Sequence, residues 1–93
     1  MKRKSMTLEE RERFFAELEA ELASGELTLG QALKRLRRDL LGMTQPAYAK
    51  ACGLSPTTLR LIEQDKANPT LDTLQQLFGK FGLHLTLVRR PRR

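Results

Sequence analysis

Residues 44–63, TQPAYAKACGLSPTTLRLIE, constrain this chain more than any other run. Thr44 is a helix N-cap residue, and Pro46 follows inside the first turn, where a missing N–H does least harm. Ala49 sits mid-helix and is small enough for a second helix to cross closely. Gly53 comes next, at the position that needs positive φ. Ser55 then caps a second helix, with Pro56 at its first position. Tyr48, Cys52, Leu54, Leu59 and Ile62 are spaced so that both helices turn an apolar side inward. Pro56, Thr57, Arg60 and Leu61 are left, wholly or in part, on the outer face of the second helix. Two short helices that meet at a sharp corner and present the second outward have the geometry that enters a DNA major groove.

The remaining segments frame this pair. Residues 1–6 read as a disordered basic tail. Thr7 and Glu10 form a capping box that opens a helix over residues 8–23, and Gly25 ends it. Leu8, Phe15, Leu18 and Leu22 fall on one stripe of this helix, with Phe14 beside it and glutamates opposite. Such an acidic amphipathic helix packs on its own domain or on a dimer mate, docks another protein, or shields a basic face.

Thr28 and Gln31 make a second capping box, opening a helix over residues 29–41. Its expected buried stripe is Leu29, Leu33, Leu36 and Leu40, with Lys34, Arg35, Arg37 and Arg38 on the exposed sides. After the central pair, residues 64–69, QDKANP, read as a turn. Thr70 caps a helix over residues 71–81 that faces Leu71, Leu74, Leu77, Phe78 and Phe81 inward, and Gly82 ends it.

Leu83, His84, Leu85, Thr86, Leu87 and Val88 alternate with period two and form the one strand candidate. A lone strand leaves its backbone N–H and C=O groups without partners. Pairing with the same strand of a second copy, in a two-fold dimer, is the economical answer. A frayed tail or a helical continuation is the alternative. The terminal Arg89-Arg90-Pro91-Arg92-Arg93 either reaches phosphates or a minor groove, or is a solvated end. The resulting division is a basic tail with an acidic helix (1–27), a domain closed by the strand (28–88) and a basic tail (89–93).

Charge is distributed unevenly along this division. Residues 1–27 carry five Lys/Arg against seven Glu, a net −2, whereas residues 28–93 carry twelve against four, a net +8. The positive charge travels with the central pair, as a phosphate-binding face requires, because neutralising phosphates releases counterions. A chain of 93 residues suits one domain with a modest core that dimer burial would reinforce.

One cysteine excludes an internal disulfide framework and a multi-cysteine zinc site, and Cys52 reads as a small buried hydrophobe. No apolar run is long enough to cross a membrane, and the start, MKRKSMTLEERER, leads into charges rather than a signal region. The expectation is a soluble cytoplasmic, nucleoid-associated protein. Enzyme chemistry finds no support. His84 is the one histidine and lies in the strand, and no glycine-rich phosphate loop or nucleophile elbow is present. No catalytic, metal or cofactor site is expected.

Gln45, Ala49, Gly53, Leu54, Ser55, Thr58, Leu59 and Ile62-Glu63, followed by Lys66, Asn68-Pro69 and Leu71, resemble the Cro/CI-type (XRE) helix-turn-helix family of DNA-binding regulators. The resemblance covers about residues 29–87. The run from Leu36-Arg37-Arg38 to Thr44-Gln45 is one residue longer than the common family pattern, a feature shared with HipB-type antitoxins, whose C-terminal strands pair across a dimer.

The resemblance implies an all-α, five-helix lambda-repressor-like domain, here with an extra N-terminal helix and a short C-terminal β-strand pairing across a dimer. It implies base contacts from Pro56, Thr57, Arg60 and Leu61. Arg60 is suited to guanine O6 and N7, Thr57 to a base edge or thymine methyl, and Pro56 and Leu61 to apolar contacts only. Phosphate contacts are expected from Thr44, Gln45, Ser55, Thr58, Lys66 and Asn68. The implied function is a homodimeric repressor on a palindromic operator in double-stranded DNA, acting as the antitoxin of a HipBA-like toxin–antitoxin system with a kinase-like toxin. The alternative is a stand-alone transcriptional regulator.

Overall fold

The computed structural model describes residues 6–89; residues 1–5 and 90–93, which hold most of both basic tails, lie outside the described residues. Five α-helices form: α1 (Leu8–Ser24), α2 (Leu29–Arg35), α3 (Gln45–Ala51), α4 (Pro56–Glu63) and α5 (Leu71–Gly79). A π-helical segment, Leu36–Leu41, continues α2.

Each α-helix begins at a hydroxyl cap. Thr7, Thr28, Thr44, Ser55 and Thr70 accept from the backbone N–H of Glu10, Gln31, Ala47, Thr58 and Thr73. Each such cap is worth about 1 kcal/mol, which matters when α2 and α3 have only seven residues each. Both expected capping boxes close, with the Glu10 and Gln31 side chains accepting from the Thr7 and Thr28 N–H groups. Gly25, Gly42, Gly53 and Gly82 all stand at positive φ at element ends, and at Gly53 (φ 71°) this conformation makes the corner between α3 and α4.

The core collects one stripe from every helix: Leu18 of α1, Leu33 of α2, Leu36 and Leu40 of the π segment, Tyr48 and Ala49 of α3, Leu59 and Ile62 of α4, Leu77 and Phe78 of α5. Leu27, in the α1–α2 link, joins them. The fully buried Tyr48 donates its hydroxyl to the Leu77 carbonyl at 2.9 Å and stacks on Phe81 at 5.9 Å, tying α3 to α5. The α4 helix packs on α2 and α3, and α1 packs on α2. A half-buried ion pair, Arg35 to Glu21 at 3.0 Å, spans α1 and α2.

The structure departs from the sequence expectations at three helix starts, in the second helix and at the C-terminal segment. Leu8, Leu29 and Leu71 were expected inside, yet they are 74%, 42% and 60% exposed. Each is the first residue of its helix, where the chain overhangs the edge of the core. The single helix expected over residues 29–41 divides at Leu36 into α and π turns. A π turn absorbs one extra residue without ending the helix, which accounts for the longer run before Thr44.

No strand forms among the described residues. Residues 83–89 alternate as expected through Leu85, with Leu83 and Leu85 half-buried on the core and His84 and Thr86 exposed. Ladder bonds need a second strand, which one chain does not supply, and Leu87 is 96% exposed.

Candidate nucleic-acid interface

The second helix of the pair, α4, has one buried side and one exposed side. Leu59, Ile62 and Glu63 are buried, while Pro56, Thr57 and Arg60 are exposed and Leu61 is half-buried. All four residues expected to meet base edges therefore reach the surface of one short helix. Thr57, Arg60 and Leu61 share a face because residues three and four apart are helical neighbours. Arg60 has no ion-pair partner among the described residues, so its guanidinium donors are free for an external acceptor.

Two helix N-termini flank this face. At α4, the Ser55 hydroxyl accepts from the Thr58 N–H at 3.0 Å and donates to the Thr58 hydroxyl at 2.8 Å. Pro56 lacks an N–H, so the first-turn backbone donor left over is that of Thr57. At α3, Thr44 accepts from the Ala47 N–H at 3.2 Å, and Pro46 again lacks a donor, which leaves the Gln45 N–H. Unsatisfied donors at the positive end of a helix dipole favour an anion such as phosphate. Lys66 and Asn68 lie exposed in the loop after α4.

The expected phosphate contacts thus sit at three places, the start of α3, the start of α4 and the loop that leaves α4. Residues 83–86 and Val88 instead line a groove shared with α1 and with Phe78 of α5.

Arg37 was expected on a solvent-exposed side and is buried, 6% exposed. Its Nε and Nη2 donate to the two carboxylate oxygens of Glu63 at 2.6 and 3.0 Å, and its Nη1 donates to the Met43 carbonyl at 2.7 Å. The Gln45 side-chain amide donates to the same carboxylate at 2.9 Å. One buried ion pair therefore joins the π segment, the loop before α3, the first residue of α3 and the last residue of α4. It also fixes the side chain of Gln45, an expected phosphate contact. Spacing could have revealed it: Arg37 lies four residues after Leu33 and three before Leu40, on the buried stripe.

A second tie went unread in the sequence. Asp65 is the one non-glycine residue at positive φ (59°) among the described residues. Its carboxylate accepts from the Thr28 hydroxyl at 2.6 Å and from the Gly30 N–H at 3.0 Å. The end of α4 is thereby anchored on the start of α2. A Cβ at Gly30 would lie 2.5 Å from the Ile62 carbonyl oxygen and 2.7 Å from that of Glu63, so only glycine permits this approach.

A braced pair of short helices, with its second helix turned outward beside two capped N-termini, defines a helix-turn-helix DNA-binding domain. The Helix-turn-helix family model matches residues 33–88. The chain belongs to this family, in its Cro/CI-type branch.

Among its relatives, the immunity repressor protein of Bacillus phage phi105 is 34% identical over 62 residues, covering 67% of this chain and 42% of that protein. The HTH-type transcriptional regulator PuuR of Escherichia coli (strain K12) is 37% identical over 60 residues, covering 64% of this chain and 32% of that protein. PuuR of Shigella flexneri matches to the same extent. The chain spans less than half the length of these relatives. No solved structure gives a significant match. Among the described residues, no helix is long and apolar enough to cross a membrane, and no cluster of His, Cys, Asp or Glu could hold a metal ion.

Proposed function

We propose that the chain is a transcriptional repressor that binds a pseudo-palindromic operator as a homodimer, acting on nucleoid DNA in the cytoplasm. The outward face of α4, with exposed Pro56, Thr57 and Arg60 and half-buried Leu61, carries this reading. In it, α4 lies in the major groove with its N-terminal residues nearest the base edges. Arg60 donates to guanine O6 and N7, Thr57 meets a base edge or a thymine methyl, and Pro56 and Leu61 make apolar contacts. Thr44, Gln45, Ser55, Thr58, Lys66 and Asn68 hold the flanking phosphates. With two apolar residues among four, part of the discrimination falls to the bendability of the operator. The repressor and regulator names of the relatives support the same reading.

Arg60→Ala tests it. Discrimination at one base pair falls by about 1–3 kcal/mol, while affinity for random duplex largely survives. An equal loss on both DNAs reassigns Arg60 to phosphate contact.

A second reading makes the repressor also the antitoxin of a HipBA-like pair that neutralises a kinase-like toxin and represses its own operon. The longer run before Thr44, which the π segment accommodates, favours it. Its test is copurification: an untagged kinase-like protein from the adjacent gene stays with the tagged chain. A solitary gene with a palindrome upstream leaves the stand-alone regulator.

A further inference from the structure

Away from α4, a groove of about 530 Å³ runs between α1 and the C-terminal segment. Leu18, Leu22 and Ala23 of α1 form one wall, and Leu29 and Phe78 contribute to it. Residues 83–86 and Val88 form the other. These residues are of both parities. A strand shows alternate side chains to its two faces, so a groove touched by Leu83, His84, Leu85 and Thr86 in succession runs along the backbone edge. Residues 84–89 make no backbone–backbone hydrogen bond among the described residues. An apolar trough beside an unpaired backbone edge accepts an extended polypeptide by strand addition.

We infer that the occupant is the same C-terminal segment of a second copy, so that α1 is a wall of the dimer seam. This rests on the homodimer reading above and adds the role of α1 to it. Two observations select a second copy. Leu87 and Val88, 96% and 63% exposed, are the apolar side chains that a single chain leaves in water at the end of that edge. In an antiparallel pair, each copy's Leu87-Val88 passes onto the other's α1 wall.

Charge agrees. Glu19 lines the groove, α1 also exposes Glu9, Glu12 and Glu17, and Val88 is followed in sequence by Arg-Arg-Pro-Arg-Arg. The seam therefore sets the acidic helix of one copy against the exposed Arg89 of the other. It also spends the acidic charge away from α4.

Three variants of the full chain, followed by sedimentation equilibrium, test the inference. Ala23 is exposed and lines the groove, so Ala23→Arg fills and repels at the seam without disturbing the core. Ala20 is exposed on α1 but does not line the groove, so Ala20→Arg is the control. Leu87→Asp removes the apolar end of the strand, which a monomer does not bury.

Both Ala23→Arg and Leu87→Asp are expected to weaken dimerisation at least about tenfold, roughly 1.4 kcal/mol. Helical circular dichroism is unchanged in both, and Ala20→Arg behaves as the parent. A dimer that Leu87→Asp weakens and Ala23→Arg does not overturns the role of α1 while the strand dimer stands. A dimer indifferent to both overturns the seam and moves the interface elsewhere. A parent chain that stays monomeric to millimolar concentration sinks the homodimer reading itself and leaves the groove to an extended segment of a different protein.

Discussion

Arg37 and Glu63 are the residues on which the geometry of the binding face turns. Both are charged and both are buried, and each spends its polar atoms on the other or on Met43 and Gln45. Removing one partner of a buried pair strands the other charge, at a cost of about 3–5 kcal/mol. Arg37→Ala is expected to lower stability to urea by that amount. The double change Arg37→Met with Glu63→Leu is expected to cost less than Arg37→Ala alone, because no buried charge is left over. A double variant as unstable as the single one would show that packing, rather than the stranded carboxylate, dominates.

Gly30→Ala probes the neighbouring tie. Its methyl meets the Ile62 and Glu63 backbone carbonyls as well as the Asp65 carboxylate, so overpacking of about 1–3 kcal/mol is expected. The sequence did not disclose either tie directly. Charge ordinarily marks solvent exposure, and burial of Arg37 depends on a carboxylate twenty-six residues away. Asp65 looks like one more polar residue in a turn, because nothing local announces its positive φ.

At the scale of elements, the α3–α4 corner follows from local chemistry, and for that reason it was the most legible part of the chain. Thr44, Gly53 and Ser55 each act on their own backbone neighbourhood. Gly53→Ala puts a Cβ in the left-handed region for about 1–2 kcal/mol, although no atom lies within 4 Å of that position. Ser55→Ala removes a cap for about 1 kcal/mol. Both are expected to lower thermal stability, and Gly53→Ala is expected to weaken DNA binding beyond its effect on folding, since it tilts α4. A Gly53→Ala chain with parental affinity after correction for the unfolded fraction would mean that the corner tolerates the change. Helix starts were equally legible from the hydroxyl caps. The π segment was not, because its residues carry ordinary helical spacing and the widening is forced by where α3 must begin. The C-terminal segment was legible as alternation but not as a strand, since pairing is a property of two segments.

For the whole molecule, one side chain reports on global folding. Tyr48 is the single tyrosine, buried against α5. Burial pushes its phenol well above the ordinary range, with Cys52 and then Glu63 adding to the effect. A folded-state value raised above the unfolded one gives stability that is fully present below the unfolded value of about 10 and is lost as pH climbs beyond it. Tyrosinate absorbance is therefore expected to rise together with the loss of helical circular dichroism, in one alkaline transition. Ionisation well before helix loss would mean that water reaches Tyr48 in the folded chain.

The same whole-molecule view separates two surfaces. The face of α4 with its capped N-termini is proposed to meet DNA, and the α1 groove a second copy. Selection of duplexes from a random library by the full chain, at several salt concentrations, tests the first assignment most directly. The expected result is enrichment of a pseudo-palindrome whose half-sites lie about 34 Å, one helical turn, apart, bound with an affinity that falls steeply as salt rises. A chain that enriches no sequence and binds no duplex in a salt-dependent way would contradict the account.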